Sequence, residues 1–123
     1  MTTEIRHTEN AKIGIFTAWQ NDVQVGEMTY KRSGVEYTSM RKEIDRWEQT
    51  QEMTTTEKTL KEQMVINHTQ VFDGFEGQGI ARQLVMAAVD FARTNNRQII
   101  PVCSFAKAVL TRTDEYHDVL LMI

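Results

Sequence analysis

The sequence predicts a mixed α/β (α+β) fold, with an antiparallel hairpin near the N-terminus and a parallel strand-helix-strand unit near the C-terminus. Two β-prone runs around a short polar turn indicate the hairpin, and a glycine-rich loop between a strand and an amphipathic helix indicates the parallel unit. With 123 residues, 41% hydrophobic and 25% charged, the chain has the size and composition of one globular domain. We therefore expect a single domain over residues 1–123, with an atypical insertion at about 33–63.

The predicted hairpin joins residues 11–19 to residues 23–30. Both runs are rich in residues that favour strands, and Asn21 and Asp22 between them favour a turn. In the second run apolar residues fall on both faces, so the alternation is imperfect.

The highly charged stretch at 33–63 is compatible with two structures. Met40, Ile44 and Trp47 stand at helical spacing, which favours two short helices. The alternative is a strand at 35–40 followed by a solvated loop of mixed charge. The sequence leaves both open.

Residues 64–72 are expected to form a strand with a polar centre at 67–70, and a helix follows the glycines. The apolar stripe of that helix consists of Ile80, Ala81, Leu84, Val85, Ala88, Phe91 and Ala92. Asn95 and Asn96 are suited to ending it, and residues 98–103 return to a β pattern. A crossover of this kind joins parallel strands, so the sheet is predicted to be mixed.

Composition excludes several classes of function. A net charge of -3 and a pI near 5.6, without blocks of like charge, disfavour nucleic-acid binding. No apolar run approaches the roughly 20 residues of a membrane span. Cys103 is the single cysteine and the N-terminus lacks a signal-peptide pattern, so we expect a cytoplasmic protein without disulfides, and no metal site is expected.

The glycine loop is the first candidate for chemistry, because Gly74, Gly77 and Gly79 lie within six residues. Glycines let the backbone approach a ligand, and the N-terminus of the following helix favours an anion such as a phosphate. An ordinary strand-to-helix turn is the more frequent explanation of a lone G-x-G. The full dinucleotide fingerprint and the P-loop ending are both absent.

His68 and Cys103 are the candidate catalytic residues. His68 lies in the polar run of a strand that would otherwise be buried, and Cys103 lies at the C-terminal end of the next strand, where open α/β sheets hold their sites. For each residue a purely structural role remains open, as a hydrogen-bonded histidine and as a small buried thiol.

Several spaced motifs, taken together, resemble a known family. They occupy residues 66–71, 76–85, 92–93, 100–105 and 115–116, and they are similar to the small single-domain N-acetyltransferase-like branch of the GNAT superfamily. The resemblance implies a GNAT-like mixed sheet whose two central parallel strands splay apart and admit the pantetheine arm of acetyl-CoA. It implies direct attack of an unidentified amine on the thioester, with Cys103 as an acid or as a covalent acyl acceptor.

The resemblance also implies where acetyl-CoA binds. The strand ending at Val71 pairs with the pantetheine amides. The pyrophosphate lies on backbone N–H groups of the glycine loop, contributed by Gln78, Gly79, Ile80, Ala81 and Arg82.

Three positions depart from the family pattern. Gln70 stands where a glutamate is common, Thr113 and Asp114 replace a His-Pro pair, and Val109 replaces a tyrosine. Each change removes a group that could transfer protons, whereas cofactor binding by the backbone would survive them.

Three hypotheses follow. The first is an acetyl-CoA-dependent N-acetyltransferase. The second is a catalytically weak CoA-binding or protein-interaction module, for which the charged insertion offers a partner surface. The third is a structural domain whose glycine loop is closed by its own side chains. The apolar residues 119–123 either pair with a neighbouring chain in a homo-oligomer or complete the core.

Overall fold

A computed structural model describes residues 2–34 and 61–122 and contains one five-stranded sheet in the order β1-β2-β3-β4-β5. The first four strands pair in antiparallel fashion, and β5 runs parallel to β4. The strands are β1 (Glu4–Glu9), β2 (Ile13–Gln20), β3 (Val23–Ser33), β4 (Gln63–Val71) and β5 (Gln98–Pro101). The helices are α1 (Ile80–Thr94), α2 (Ser104–Thr111) and a 3₁₀ turn (Asp114–Tyr116).

This architecture confirms the predicted mixed sheet with its N-terminal hairpin and parallel C-terminal pair. Three elements, β1, α2 and the 3₁₀ turn, have no counterpart in the sequence prediction. The last strand also ends at Pro101, two residues before the predicted end, because the chain turns there into α2.

The hairpin between β2 and β3 turns at Asn21 and Asp22, whose φ angles of 50° and 64° match a two-residue turn with both residues left-handed. A register shift leaves Val25 as an extra residue opposite Ala18 and Trp19 of β2. This bulge explains the imperfect alternation of the second run, because Val25 is buried together with Gly26 and Met28.

Helix α1 packs across β2, β3 and β4. Its buried residues are Ile80, Leu84, Val85, Ala88, Val89 and Ala92. The predicted Ala81 and Phe91 are half-buried instead, and Val89 joins the core face. The helix ends at Asn95, and Asn96 adopts the left-handed conformation with a φ of 56°.

The C-terminal residues complete the core. Val119 is buried, and Leu120 forms a parallel bridge with Ile99 of β5. The N–H of Leu121 donates to the carbonyl of Ile99 at 2.8 Å. No helix within 2–34 and 61–122 is long and apolar enough to cross a membrane.

The insertion connects the end of β3 to the start of β4, where Ser33 lies opposite Gln63. Both structures considered for it, the two short helices and the strand with a loop, fall on residues 35–60, which lie outside the described residues.

Candidate functional site

Strands β4 and β5 separate part-way along their length. They pair from Gln63 to Ile66, opposite Gln98 to Pro101, and the carbonyl of Ile66 then accepts the N–H groups of both Val102 and Cys103 at 2.9 Å. Strand β4 continues to Val71 with β3 on its other side. Within the described part of the chain, no strand pairs with the β5-facing edge of β4 beyond Ile66, so a cleft opens there.

A bulge at Asn67 marks the start of this cleft. Thr29 of β3 lies opposite His68 and Tyr30 lies opposite Ile66, which leaves Asn67 as the extra residue. The hydroxyl of Thr29 donates to the Asn67 side chain at 2.8 Å. Since a bulge bends its strand and increases the local twist, Asn67 helps to direct the end of β4 away from β5.

Cys103 lies inside the cleft, at the N-cap of α2. Its thiol lies 3.5 Å from the Thr69 hydroxyl. Burial raises the pKa of the Cys103 thiol, but hydrogen bonds from Thr69 and from the N–H groups of Ala106 and Phe105 outweigh burial, and the net pKa is lowered. Such stabilisation of a thiolate at a helix N-terminus is typical of reactive cysteines.

His68 lies on the opposite face of β4 from Thr69. Thr69 pairs with the buried Met28, whereas His68 pairs with Thr29 on the face turned away from α1. The His68 Nε2 atom is 3.5 Å from Oε2 of Glu27 on β3. The two predicted catalytic residues are therefore not brought into one pair, because His68 and Cys103 flank β4 from its two faces.

The loop before α1 has a backbone conformation that suits an anion. Gly77 and Gly79 have φ angles of 82° and 76°, and a Cβ added at either would meet no atom within 4 Å. Gly79 caps α1 without any side-chain hydrogen bond, and the first turn contains no acidic residue. The first helical bond runs from Gln83 N to Gly79 O, so the N–H groups of residues 80–82 have no acceptor within the helix. These groups and the positive end of the helix dipole fit a phosphate.

The Gln78 side chain anchors this loop to the sheet. It accepts a hydrogen bond from Gln20 Nε2 at 2.9 Å, and the same nitrogen lies 3.1 Å from Thr3 Oγ1. Gln20 is only 4% exposed. This contact occupies the Gln78 side chain, so an anion at the loop would meet the backbone N–H of Gln78. Gln20 supports the loop and was not among the residues predicted from the sequence.

The other predicted binding residues surround the same loop. Val71 ends β4 and pairs with Gly26 of β3. Ile80 is buried beneath the loop, Ala81 is half-buried, and Arg82 is exposed on the first turn of α1.

A second concave region lies beside the bulge. Its volume is about 490 Å³, and its lining includes Ile13, Ile15, Thr29, Lys31 and Asn67. His68 does not line this region, but its strand partner Thr29 and its chain neighbour Asn67 do.

The match to a family model decides the family. Residues 41–119 match the model described as GCN5-related N-acetyl-transferase. The chain belongs to the GCN5-related N-acetyltransferase family. This family assignment confirms the resemblance found in the motifs and accounts for the splayed strands and the glycine loop.

Solved structures agree with the assignment. A GCN5-like protein from Staphylococcus aureus, determined in solution, is 30% identical with a TM-score of 0.57, and the match covers 98% of this chain and 89% of that one. An aminoglycoside acetyltransferase from an uncultured soil metagenomic sample shares 15% identity with a TM-score of 0.58, over 86% of this chain and 62% of that chain.

A ribosomal-protein-alanine N-acetyltransferase from Brucella melitensis biovar Abortus 2308 shares 13% identity with a TM-score of 0.57, over 84% of this chain and 62% of that chain. The present chain thus spans less than two thirds of these two enzymes, which support the fold alone. No curated protein matches the chain.

Proposed function

We propose that this GCN5-related protein is an N-acetyltransferase that transfers an acetyl group from acetyl-CoA to an amine by direct attack on the thioester. One observation carries the proposal. The thiol of Cys103 contacts Thr69 on the unpaired part of β4, and the loop that follows Val71 leads to the N-terminus of α1.

Binding of acetyl-CoA rests on backbone groups. The N–H groups from Gln78 to Arg82 would hold the pyrophosphate, and the edge of β4 near Val71 would pair with the pantetheine amides. The N–H groups of residues 80–82, which have no acceptor within the helix, and the open space at Gly77 support this assignment. The structural-domain hypothesis would close the loop by its own side chains, as Glu76 does by accepting the N–H of Gly74 at 3.0 Å.

The chemistry is divided between the two faces of β4. Acetyl-CoA supplies an activated acetyl thioester. His68 would accept a proton from the amine on the face of β4 turned away from α1, where Thr29 and Asn67 line the 490 Å³ cleft. Cys103 would donate a proton to the departing sulfur on the α1 side, a role favoured by its lowered pKa. A base and an acid on opposite faces suit two substrates that enter from opposite sides.

Acetyl transfer is tested by measuring CoA release with a panel of amines and detecting the acetylated product by mass spectrometry. We expect transfer to at least one amine, lowered in Cys103→Ala and abolished in Gly79→Leu, since a bulky side chain at a left-handed position both strains the loop and fills the phosphate site. Unchanged transfer in Cys103→Ala would remove the cysteine from the mechanism.

The runner-up is a CoA-binding or interaction module with little turnover. Gln70 cannot ionise. Val109 stands where the family pattern commonly has a tyrosine, and it is buried on the core-facing side of α2. This alternative predicts acetyl-CoA binding without hydrolysis or transfer to any amine.

A further inference from the structure

A general base assists proton removal from the amine, and a carboxylate on the neighbouring strand lies beside the candidate base His68. We propose that Glu27 is a positioning residue for His68, so that the two side chains form a Glu-His pair that receives the proton of the acceptor amine. The inference rests on the proposed function, because it concerns the same reaction.

The register of β3 and β4 brings the carboxylate to the histidine. Glu27 lies directly opposite Gln70, and His68 lies two residues before Gln70 on the same face of β4. Such diagonal neighbours are within reach of long side chains, and Glu27 Oε2 is 3.5 Å from His68 Nε2. Glu27 of β3 therefore supplies a carboxylate on this face of β4, where Gln70 has only an amide.

The Glu27 carboxylate is also held at its other oxygen. Gln24 Nε2 lies 3.4 Å from Glu27 Oε1. The side chain of Glu27 is 28% exposed, against 47% for His68, so the carboxylate is set deeper than the imidazole it contacts. This arrangement leaves the histidine as the more accessible member of the pair, facing an incoming amine.

Several other carboxylates in the described residues contact arginines, while Asp114 contacts His117 at 3.5 Å. Glu9 and Glu62 contact Arg97 and Arg32, and Asp118 contacts Arg93. The ion-pair partner of Glu27 among the described residues is His68. Glu27 is thus committed to the histidine rather than to a structural arginine.

The role of Glu27 follows from the chemistry of imidazole. In the proposed pair, Nε2–H would point to the carboxylate, and the lone pair of Nδ1 would then be available to accept a proton. As the amine nitrogen forms its bond to the acetyl carbon, one N–H proton passes to Nδ1. The C–S bond breaks with its electron pair on sulfur, and the sulfur takes a proton from the Cys103 thiol or from water.

The test combines kinetics with a double-mutant cycle, using Glu27→Ala, His68→Ala and the double variant, with Glu4→Ala, an exposed glutamate of β1 that pairs with Arg6, as a matched control. General-base loss costs on the order of 100-fold or more in kcat. We expect Glu27→Ala to lower kcat at least tenfold without changing the KM for acetyl-CoA, and the double variant to be no slower than His68→Ala. Imidazole in solution should partly restore His68→Ala.

Independent losses that multiply in the double variant, or an unchanged kcat in Glu27→Ala, would overturn the assignment. A second readout separates this failure from failure of the proposed function. The ¹⁵N spectrum of His68 in the wild-type protein should show a proton on Nε2, and Glu27→Ala should weaken that preference whether or not any amine is acetylated. A predominant Nδ1–H form in the wild type would contradict the pair even in an active enzyme.

Discussion

At the scale of single residues, the environment of Cys103 makes a measurable prediction. The hydroxyl of Thr69 and the N–H groups of Phe105 and Ala106 stabilise the thiolate and lower its pKa despite burial. Because the thiolate is the nucleophile, the rate of alkylation by iodoacetamide should reach half its maximum at a lower pH than for a free cysteine model compound. Thr69→Val should move that midpoint upward.

The matched control for this experiment is Thr111→Val, since Thr111 bonds to Lys107 at the far end of α2. It should leave the midpoint where it is. A wild-type midpoint at or above that of the model compound would show that the cleft does not activate the thiol.

At this scale the sequence supplied candidate residues but not their partners. His68 and Cys103 could be selected as candidates because a polar residue within an apolar strand and a cysteine at a strand end are local signals. Glu27 carries no such signal, and the polar run at 67–70 does not show that Thr69 is the member that contacts Cys103. The contact of Glu27 with His68 depends on the register across β3 and β4, which a bulge at Asn67 shifts by one residue, and no local pattern specifies such a shift.

At the scale of elements, Gly26 controls how closely α1 approaches the sheet. A Cβ at this position would lie 3.0 Å from the Gln70 carbonyl and 3.2 Å from a methyl group of Ile80. Gly26→Ala should therefore push out the first turn of α1 and destabilise the fold by about 1–3 kcal/mol, the usual cost of overpacking. Because that turn carries the phosphate-binding N–H groups, acetyl-CoA should also bind more weakly.

Urea unfolding and calorimetric titration of Gly26→Ala measure the two effects. If Gly26→Ala kept the stability and the acetyl-CoA affinity of the wild type, the contact between α1 and β3 would be looser than in the structure.

Elements with strong periodicity were predictable from the sequence, and two weakly patterned ones were not. The hairpin, β4, β5 and α1 follow from alternation, turn residues and the helical stripe. Strand β1 has Ile5 as its only aliphatic residue and is held by other means, including the stacking of His7 on Phe16 at 4.0 Å. Helix α2 has only eight residues, so its apolar positions are too few to establish a period.

At the scale of the whole molecule, an ion-pair network joins segments that are distant in sequence. Arg97 donates two hydrogen bonds to Glu9, at 2.8 and 2.9 Å, and Tyr30 donates a third at 2.6 Å. Arg32 links Glu9 to Glu62. The network ties β1 and β3 to the segments that enter β4 and β5.

The network predicts how stability depends on pH. Its hydrogen bonds, that from Arg97 above all, lower the pKa of Glu9 to about 2 against the opposing effect of burial. An unfolded glutamate titrates near 4.3. Since the folded pKa is the lower one, Glu9 stabilises the fold fully above about pH 4.3, and this contribution is lost as the pH falls toward 2.

Urea midpoints measured between pH 2 and 6 test this prediction by comparing the wild type with Glu9→Gln. The variant should be less stable at pH 6 and should lose less stability on acidification, whereas Glu115→Gln should follow the wild type. Parallel curves for the wild type and Glu9→Gln would exclude Glu9 as a source of the acid sensitivity.

The whole-molecule account depends on acetyl-CoA binding between the splayed strands and on the glycine loop, and calorimetric titration measures this most directly. Acetyl-CoA titrated into the wild-type protein should give one saturable site, and Gly79→Leu should abolish it while the fold, followed by circular dichroism, is retained. Absence of binding at millimolar acetyl-CoA to the folded wild-type protein would contradict the account.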